Sequence, residues 1–338
     1  MIQQAIGRVL DGHDLSREEA REAMHTIMRG DATQAQIAGF LVALRAKGET
    51  ADEIAGCAEA MRDHVLAVEP HRDDLVDTAG TGGDGKRTLN ISTAAALVAA
   101  AAGAGVAKHG NRAASSQTGS ADVLEALGFH LDLAPERIAR SIDELGFGFM
   151  FAQAHHPAMR HAAPVRRELG TRTVFNVLGP LTNPARARAQ VVGVYAPTLV
   201  RPIAEALLQL GARRAFVVHG AGGIDELSPV GPNVVCEVVD GGVRERSIDP
   251  EELGVDRSSV DDLAGGAPAE NAAAILAVLA GERGAKRDAI LLNAAGAIAA
   301  AGHAEDLREG LERAREAVDS GTATARLDEL VAFSKAAA

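Results

Sequence analysis

The sequence predicts an α/β protein: a small all-helical N-terminal domain followed by a larger domain with a central, mostly parallel sheet flanked by helices. Three observations lead there. The first seventy of the 338 residues show apolar residues at helical spacing throughout. From residue 75 onward, short apolar strands alternate with helical stretches, the texture of a parallel sheet covered by helices. The chain also exceeds the ~250–300 residues at which a single core stops growing, so its length fits two domains.

Ser16 stands as an N-cap before Arg17-Glu18-Glu19, with Glu19 at the capping-box position, and Gly30 closes this helix. Residues 33–47 repeat the pattern, with Ile37, Phe40, Leu41 and Leu44 at helical spacing and Gly48 after the end. A further helix is expected at 50–68, and Pro70 marks a boundary. A strand at 75–78 then enters the turn Gly80-Thr81-Gly82-Gly83-Asp84-Gly85, and Asn90-Ile91-Ser92 opens an Ala-rich helix. The next strand is expected at 105–107. Two more, at 189–196 and 215–219, flank a helical pattern at 199–210, and 234–239 reads as an outer strand. Residues 270–333 supply further helices.

Charge points to a site. The chain carries 46 acidic against 34 basic residues, a net charge of -12, yet it holds no Asp or Glu from Gly85 to Ala121. That stretch contains Lys86, Arg87, Lys108, His109 and Arg112 among Asn90, Ser92, Thr93, Asn111, Ser115, Ser116, Thr118 and Ser120. An acidic protein that clears one segment of carboxylates and fills it with cations and short polar donors is built to hold an anion there, phosphate first. The net charge, with 3% aromatic residues and no Trp, argues against a nucleic-acid surface. Cys57 and Cys236 share no motif, so neither a disulfide framework nor a thiolate metal site is expected, and a reducing cytoplasm fits. Arg8 and Asp11 interrupt any secretory signal, and the uncharged run 88–107 is too rich in Ala and Gly for a membrane span.

The glycine turn satisfies two familiar patterns incompletely. Gly80, Gly82 and Gly85 fit G-x-G-x-x-G, but no acid follows before Asp122 to bind a ribose. Gly80, Gly85 and Lys86 fit the phosphate-loop pattern, but Arg87 stands where a metal-binding hydroxyl is required. What remains is close backbone approach to an anion beside a helix N-terminus, or a tight turn with no ligand. A second loop, Lys108-His109-Gly110-Asn111-Arg112-Ala113-Ala114-Ser115-Ser116, offers point and forked donors at the end of another strand of the same sheet. A third carries Asp225-Glu226, suited to Mg²⁺ or simply solvated.

Taken together, residues 77–85, Asn90 to Thr93, Lys108 to Arg112 and the run Arg172-Thr173-Val174-Phe175-Asn176-Val177-Leu178-Gly179-Pro180-Leu181-Thr182-Asn183-Pro184 resemble the anthranilate phosphoribosyltransferase family. The resemblance runs in order over most of the chain. Leu89 departs from it, since the family usually has Phe there.

The resemblance implies a helical domain at 1–70 completed by an excursion at about 164–184. The α/β domain would take 71–163 and 185–338. It implies transfer of the phosphoribosyl group of 5-phosphoribosyl 1-diphosphate to anthranilate in tryptophan biosynthesis, Mg²⁺ as cofactor and a homodimer joined through the helical domain. Gly80, Gly83, Asp84, Thr88, Asn90, Ile91, Ser92, Thr93, Lys108, His109, Gly110, Asn111, Arg112, Ala113, Ala114, Ser115, Ser116 and Ser120 would surround the diphosphate substrate. Ser92, Asp225 and Glu226 would handle Mg²⁺, while Gly80, Asn111 and Arg166 would contact anthranilate. Lys108, His109 and Asn111 carry the expected catalytic roles, by positioning and electrostatics.

Arg166 and Arg167 lie about 100° apart on a helix, so one of them faces inward. Arg166 inward follows the family, and a surface ion pair to Glu168 or Glu144 is the competing use. His155, His156 and His161 read as capping or packing residues. Two other functions share the scaffold: a pyrimidine nucleoside phosphorylase, and a non-catalytic relative that binds nucleic acid.

Overall fold

The computed structural model describes residues 2–113 and 117–336, so the expectations for Ala114, Ser115 and Ser116 lie outside the described residues. The chain begins with α1 (Ile2–Leu10), α2 (Arg17–Met28), α3 (Gln34–Lys47) and α4 (Ala51–Arg62). The last three start at reciprocal capping boxes, Ser16 with Glu19, Thr33 with Gln36 and Thr50 with Glu53, which satisfy N–H groups that a helix start leaves orphaned. Helix α4 stops at Arg62 instead of running to Val68. Leu66 N–H donates to His155 O at 2.8 Å and Val68 N–H to Pro184 O at 3.2 Å, so tertiary partners replace the last helical turns.

Beyond the boundary come β1 (Leu75–Gly80), α5 (Ile91–Ala101), β2 (Gly105–Gly110), α6 (Ser120–Ala126), α7 (Pro135–Leu145) and β3 (Phe147–Phe151). Short helices follow, α8 (Ala152–His155), α9 (Ala163–Leu169) and α10 (Phe175–Leu178), before β4 (Ala189–Gly193), α11 (Val200–Gln209) and β5 (Arg214–His219). The hairpin β6 (Asn233–Val239) and β7 (Gly242–Ile248) precedes α12 (Pro268–Leu279), α13 (Ala285–Ala301), α14 (Leu307–Asp319) and α15 (Thr322–Lys335).

Among the described residues the strands form one seven-stranded sheet in the order β3-β2-β1-β4-β5-β6-β7. The first five are parallel, and β6 and β7 extend the sheet antiparallel. Two strands exceed the sequence reading. Phe147–Phe151 is an unbroken apolar run directly after α7, with no alternation to distinguish it from more helix. The outermost strand is β7, not β6. Asp240 and Gly241 both have positive φ, 52° and 71°, which is the tight-hairpin geometry that an Asp-Gly pair signals. The charges of Arg244, Glu245 and Arg246 guard this open edge.

One face of the sheet is covered by α5 and α13 with α12, α14 and α15 around them, in one continuous apolar cluster. The Ala-rich α5 is buried on nearly every side, which is where the uncharged run went. The other face packs against α11, the residues of α1–α4 and Val174 to Leu181. Among the described residues no helix is long and apolar enough to cross a membrane. Strand β1 has β2 on one side and β4 on the other, so the chain reverses its direction of winding between β1 and β4. Parallel α/β sheets bind ligands at the carboxyl ends flanking such a crevice.

Candidate active site

The crevice is shaped by two glycines. Gly80 and Gly193 are register partners at the ends of β1 and β4, and the loop after β5 folds back over both. A Cβ on Gly193 would lie 1.5 Å from the backbone oxygen of Asp225, and one on Gly80 would lie 2.2 Å from Asp225 Oδ2. At Gly193 backbone leaves no room for a side chain, and at Gly80 a side chain would displace the Asp225 carboxylate. The same Oδ2 accepts from Gly82 N–H at 2.7 Å, while Glu226 Oε1 accepts from Ser92 N–H at 2.9 Å. Thr78 Oγ1 donates to Ser92 O at 2.9 Å, tying the first turn of α5 to β1. The glycine turn, the start of α5 and the acidic loop, expected separately from the sequence, are thus one assembly.

Its electrostatics call for a cation. Burial, reinforced by Asp84, pushes the Asp225 carboxyl up to about 7. Burial and then Asp225 raise Glu226 well above the ordinary carboxylate range. Glu226 Oε2 is buried with no hydrogen-bond partner among the described residues. Oxygen ligands, mutual repulsion and an orphaned lone pair fit Mg²⁺, which takes one or two carboxylates and completes its shell with water and substrate phosphates. Among the described residues no group of three His, Cys, Asp or Glu side chains is assembled for a metal.

Strand β2 runs through Gly110, two residues beyond the loop start read from the sequence, and this changes Lys108 and His109. Successive residues of a strand point to opposite faces. Lys108 is 1% exposed, and its Nζ donates to Thr78 O at 2.6 Å, beneath the crevice rather than out of it. Burial lowers its ammonium to about 8 against the opposing pull of Asp77 and Glu226. His109 points the other way. Its N–H donates to Asp77 Oδ1 at 3.1 Å and its Nδ1 meets Gly179 O at 3.2 Å, which makes Nδ1 the protonated nitrogen. His156 Nε2 lies 3.1 Å from His109 Nε2, a contact that a single proton can bridge. Burial holds His109 down at about 3 and His156 at about 4, so both imidazoles are neutral at pH 7.

His156 therefore does more than pack, whereas His155 binds Leu66 O at 2.8 Å and His161 packs beneath Gly30. Three consecutive carbonyls, those of Gly179, Pro180 and Leu181, accept from His109, Gln190 and Arg62 in turn, docking the excursion on the sheet and on the end of α4. Asn183 donates to both Asp77 Oδ2 and Ala107 O, at 2.7 and 2.8 Å. None of these roles has a local signature, because each partner comes from a distant segment.

The other expected residues divide. Asn90 caps α5 without a side-chain cap bond; it instead bridges Thr118 O at 3.1 Å and Asn271 at 2.9 Å. Thr88 bridges to Ala264, Ile91 and Thr93 are buried, and Thr93 Oγ1 has no partner among the described residues. Gly110 is needed for close approach, since a Cβ there would lie 2.8 Å from Phe149 and 3.0 Å from Ser120. Asn111 Oδ1 accepts from Arg112 N–H at 2.8 Å. Arg112 itself is taken by Asp122 and Glu125, at 3.0 and 2.6 Å, and Asp122 also accepts from Ala113 N–H. The carboxylates cleared from the segment return just after it to hold its arginine.

Arg166 is partly buried on α9 while Arg167 is exposed. Its guanidinium lies 5.1 Å from the Phe175 ring centroid, and no carboxylate pairs with it among the described residues. Glu144, one of the alternatives, pairs with Arg140. An inward, unpaired guanidinium beside an aromatic face suits a planar carboxylate ligand.

Comparison with known proteins agrees with this layout. Residues 3–65 match the helical bundle domain of a glycosyl transferase family, and residues 72–324 match that family's a/b domain. The chain is 53% identical to anthranilate phosphoribosyltransferase of Symbiobacterium thermophilum, over 96% of each protein. It is 54% identical to the enzyme of that name from Thermomicrobium roseum, over 100% of this chain and 98% of the relative. The crystal structure of anthranilate phosphoribosyltransferase from Thermus thermophilus superposes with a TM-score of 0.93 at 52% identity, covering 98% of this chain and 99% of that one. The Saccharomyces cerevisiae enzyme in complex with PRPP and Mg superposes with a TM-score of 0.90 at 28% identity, covering 99% and 98%. The chain belongs to the anthranilate phosphoribosyltransferase family.

Proposed function

We propose that this chain transfers the phosphoribosyl group of 5-phosphoribosyl 1-diphosphate to the amine of anthranilate, releasing diphosphate, as a step of tryptophan biosynthesis. The observation that carries the reading is the crevice itself. A glycine turn and two buried carboxylates, one with an orphaned oxygen, meet at the ends of β1, β4 and β5.

Ser92, Asp225 and Glu226 would hold Mg²⁺, which when bound neutralises charge on the diphosphate leaving group. The turn around Gly80, Gly83 and Asp84, the start of α5 and the loop after β2 would receive the rest of the substrate. C1–O cleavage leaves cationic character on the ribose, as in other glycosyl transfers. The buried carboxylates would act near that charge, and Lys108, whose Nζ donates to Thr78 O, would hold the end of β1 beneath them. Anthranilate's aromatic amine is neutral near pH 7, so positioning does most of the work and no covalent intermediate is needed. His109 orients rather than abstracts, because burial opposes the imidazolium and both ring nitrogens are already engaged. Asn111 stands at the end of the same strand.

Arg166 would pair with the anthranilate carboxylate. Arg166→Ala is expected to raise the anthranilate KM about tenfold or more, with the KM for 5-phosphoribosyl 1-diphosphate nearly unchanged. Steady-state kinetics in both substrates check this, and an unchanged anthranilate KM would remove Arg166 from the site.

Residues 1–70 with 164–184 are taken as one domain and the remainder as the other. A cytoplasmic homodimer joined through the helical part completes the reading; the exposed Leu10, Val42 and Leu66 on that part support it. The decisive test of function is anthranilate fluorescence with protein, 5-phosphoribosyl 1-diphosphate and Mg²⁺, each omitted in turn. Loss of fluorescence in the complete mixture alone is expected. Persistence of fluorescence with folded protein would refute the acceptor.

A further inference from the structure

The glycine turn is held from above by a residue for which the crevice chemistry has so far required no role. Arg172, in the segment between α9 and α10, donates a guanidinium hydrogen to the carbonyl of Gly83. Its plane lies over that residue: a Cβ on Gly83 would be 3.5 to 3.9 Å from three of the guanidinium atoms. The guanidinium carbon also lies 4.0 Å from the ring centroid of Tyr195, just beyond β4. Tyr195 is tied to the turn in its own right. Its N–H donates to Thr81 Oγ1 at 3.1 Å, and Thr81 N–H donates to Gly193 O at 2.9 Å. Arginine, tyrosine and turn thus close one ring of contacts between the excursion and the ends of β1 and β4.

The charge of Arg172 is what makes this more than a packing contact. It is exposed and pairs with no carboxylate among the described residues; its partners are a carbonyl and an aromatic face. Arg112, the arginine that the sequence nominated for phosphate, is instead spoken for by Asp122 and Glu125. With five N–H donors, a guanidinium can hold a single carbonyl and still meet phosphate oxygens without leaving an aromatic face.

We infer that Arg172 and Tyr195 form a latch over the glycine turn that positions it for a diphosphate group, with Arg172 the positioning residue and Tyr195 its platform. The inference rests on the reading of this turn as the diphosphate cradle. Arg172 keeps Gly83 in its left-handed conformation, φ 76°, by holding the carbonyl, and it carries uncompensated positive charge to the rim of the cradle. Binding of the diphosphate group changes the guanidinium's environment, and with it that of the tyrosine ring.

The chain contains one Tyr and no Trp, so tyrosine emission reads this contact directly. The experiment uses full-length protein without anthranilate, titrated with 5-phosphoribosyl 1-diphosphate and Mg²⁺. Calorimetric binding and tyrosine emission are followed for wild type, Arg172→Ala and Arg172→Lys, with steady-state kinetics alongside. Emission of the wild type is expected to change with saturation. Arg172→Ala is expected to start from a different emission, to lose that response and to raise the KM for 5-phosphoribosyl 1-diphosphate about tenfold. Its anthranilate KM and its kcat should move less than threefold. Arg172→Lys, which keeps charge without the planar face, should fall between the two.

Tyr195→Leu should raise the same KM, and the double variant should cost less than the product of the two, because the pair acts as a unit. Multiplicative effects would overturn the latch. Arg172 is exposed, so its variants should melt with the wild type. Binding and emission identical in Arg172→Ala and wild type would overturn the latch alone. No binding to the wild type would overturn the reading of the turn and the latch with it.

Discussion

Gly193→Ala is expected to lower kcat/KM about 100-fold although Gly193 has no side chain to contribute. The added methyl would overlap the backbone carbonyl of Asp225, at 1.5 Å from its oxygen and 2.2 Å from its carbon. Backbone cannot rotate aside as a side-chain tip can, so either the end of β4 or the acidic loop must move by an ångström or more. Displacements of that size cost on the order of a hundredfold when catalysis depends on placement. Gly80, the register partner, would move with it, and the N–H of Gly82 would lose its acceptor. Overpacking should also reduce stability by about 1–3 kcal/mol. Kinetics and urea unfolding of the variant measure both. Gly7→Ala, in α1 with nothing within 4 Å of the added carbon, serves as the control and should match the wild type in kcat/KM while being no less stable. Wild-type kcat/KM in Gly193→Ala would mean that the acidic loop is placed by something other than this glycine pair.

Asp225→Asn should move activity and stability in opposite directions. Activity should fall by about 10²–10³-fold, as when a group that stabilises developing charge is removed. Metal-free protein should gain stability, on the order of 2 kcal/mol at pH 8. The sign follows from the raised pKa. A carboxyl that sits at about 7 in the fold and 3.8 outside it favours the protonated folded state, so stability falls as pH rises between those values. His109 and His156, held down at about 3 and 4, act the other way, adding stability as pH rises to their ordinary 6.5.

Above about 6.5 the carboxyl effect continues alone until Lys108, at about 8 in the fold, begins to add stability. Chelator-treated wild type should therefore lose stability from about pH 6.5 to 8, and Asp225→Asn should lose less. Unfolding across that pH range, with and without added Mg²⁺, decides it. A variant no more stable than the wild type at pH 8 would show that the carboxyl carries no such strain.

Several features were legible because their physics is local. Capping boxes place helix starts within three residues of themselves, and Ser16, Thr33 and Thr50 each begin a helix where their patterns say. The absence of acids from Gly85 to Ala121 is a property of the string. So is the pairing of Asp225 with Glu226, and the glycine spacing that lets a turn form. Even the missed hairpin had its signal in Asp240-Gly241. Strand β3 did not, because five apolar residues after a helix carry no period that separates strand from helix.

What the string could not carry is which way a side chain faces once a strand runs three residues longer than expected. Extending β2 to Gly110 sends Lys108 beneath the crevice and His109 toward the excursion, and both then acquire partners from 30 to 70 residues away. The same holds for Arg112. Its segment is free of carboxylates in sequence, but a folded chain brings Asp122 and Glu125 round to it, while Arg172 comes to the glycine turn from 89 residues on. By itself the sequence determined most of the elements and the acidic and glycine loops, since each is written within a few consecutive residues, and the family, since its runs follow in order along the chain. Only the tertiary structure decided which cations remain unpaired, which histidines share a hydrogen bond and which glycines have no room for a methyl. Those depend on distances between segments, set when the sheet closes.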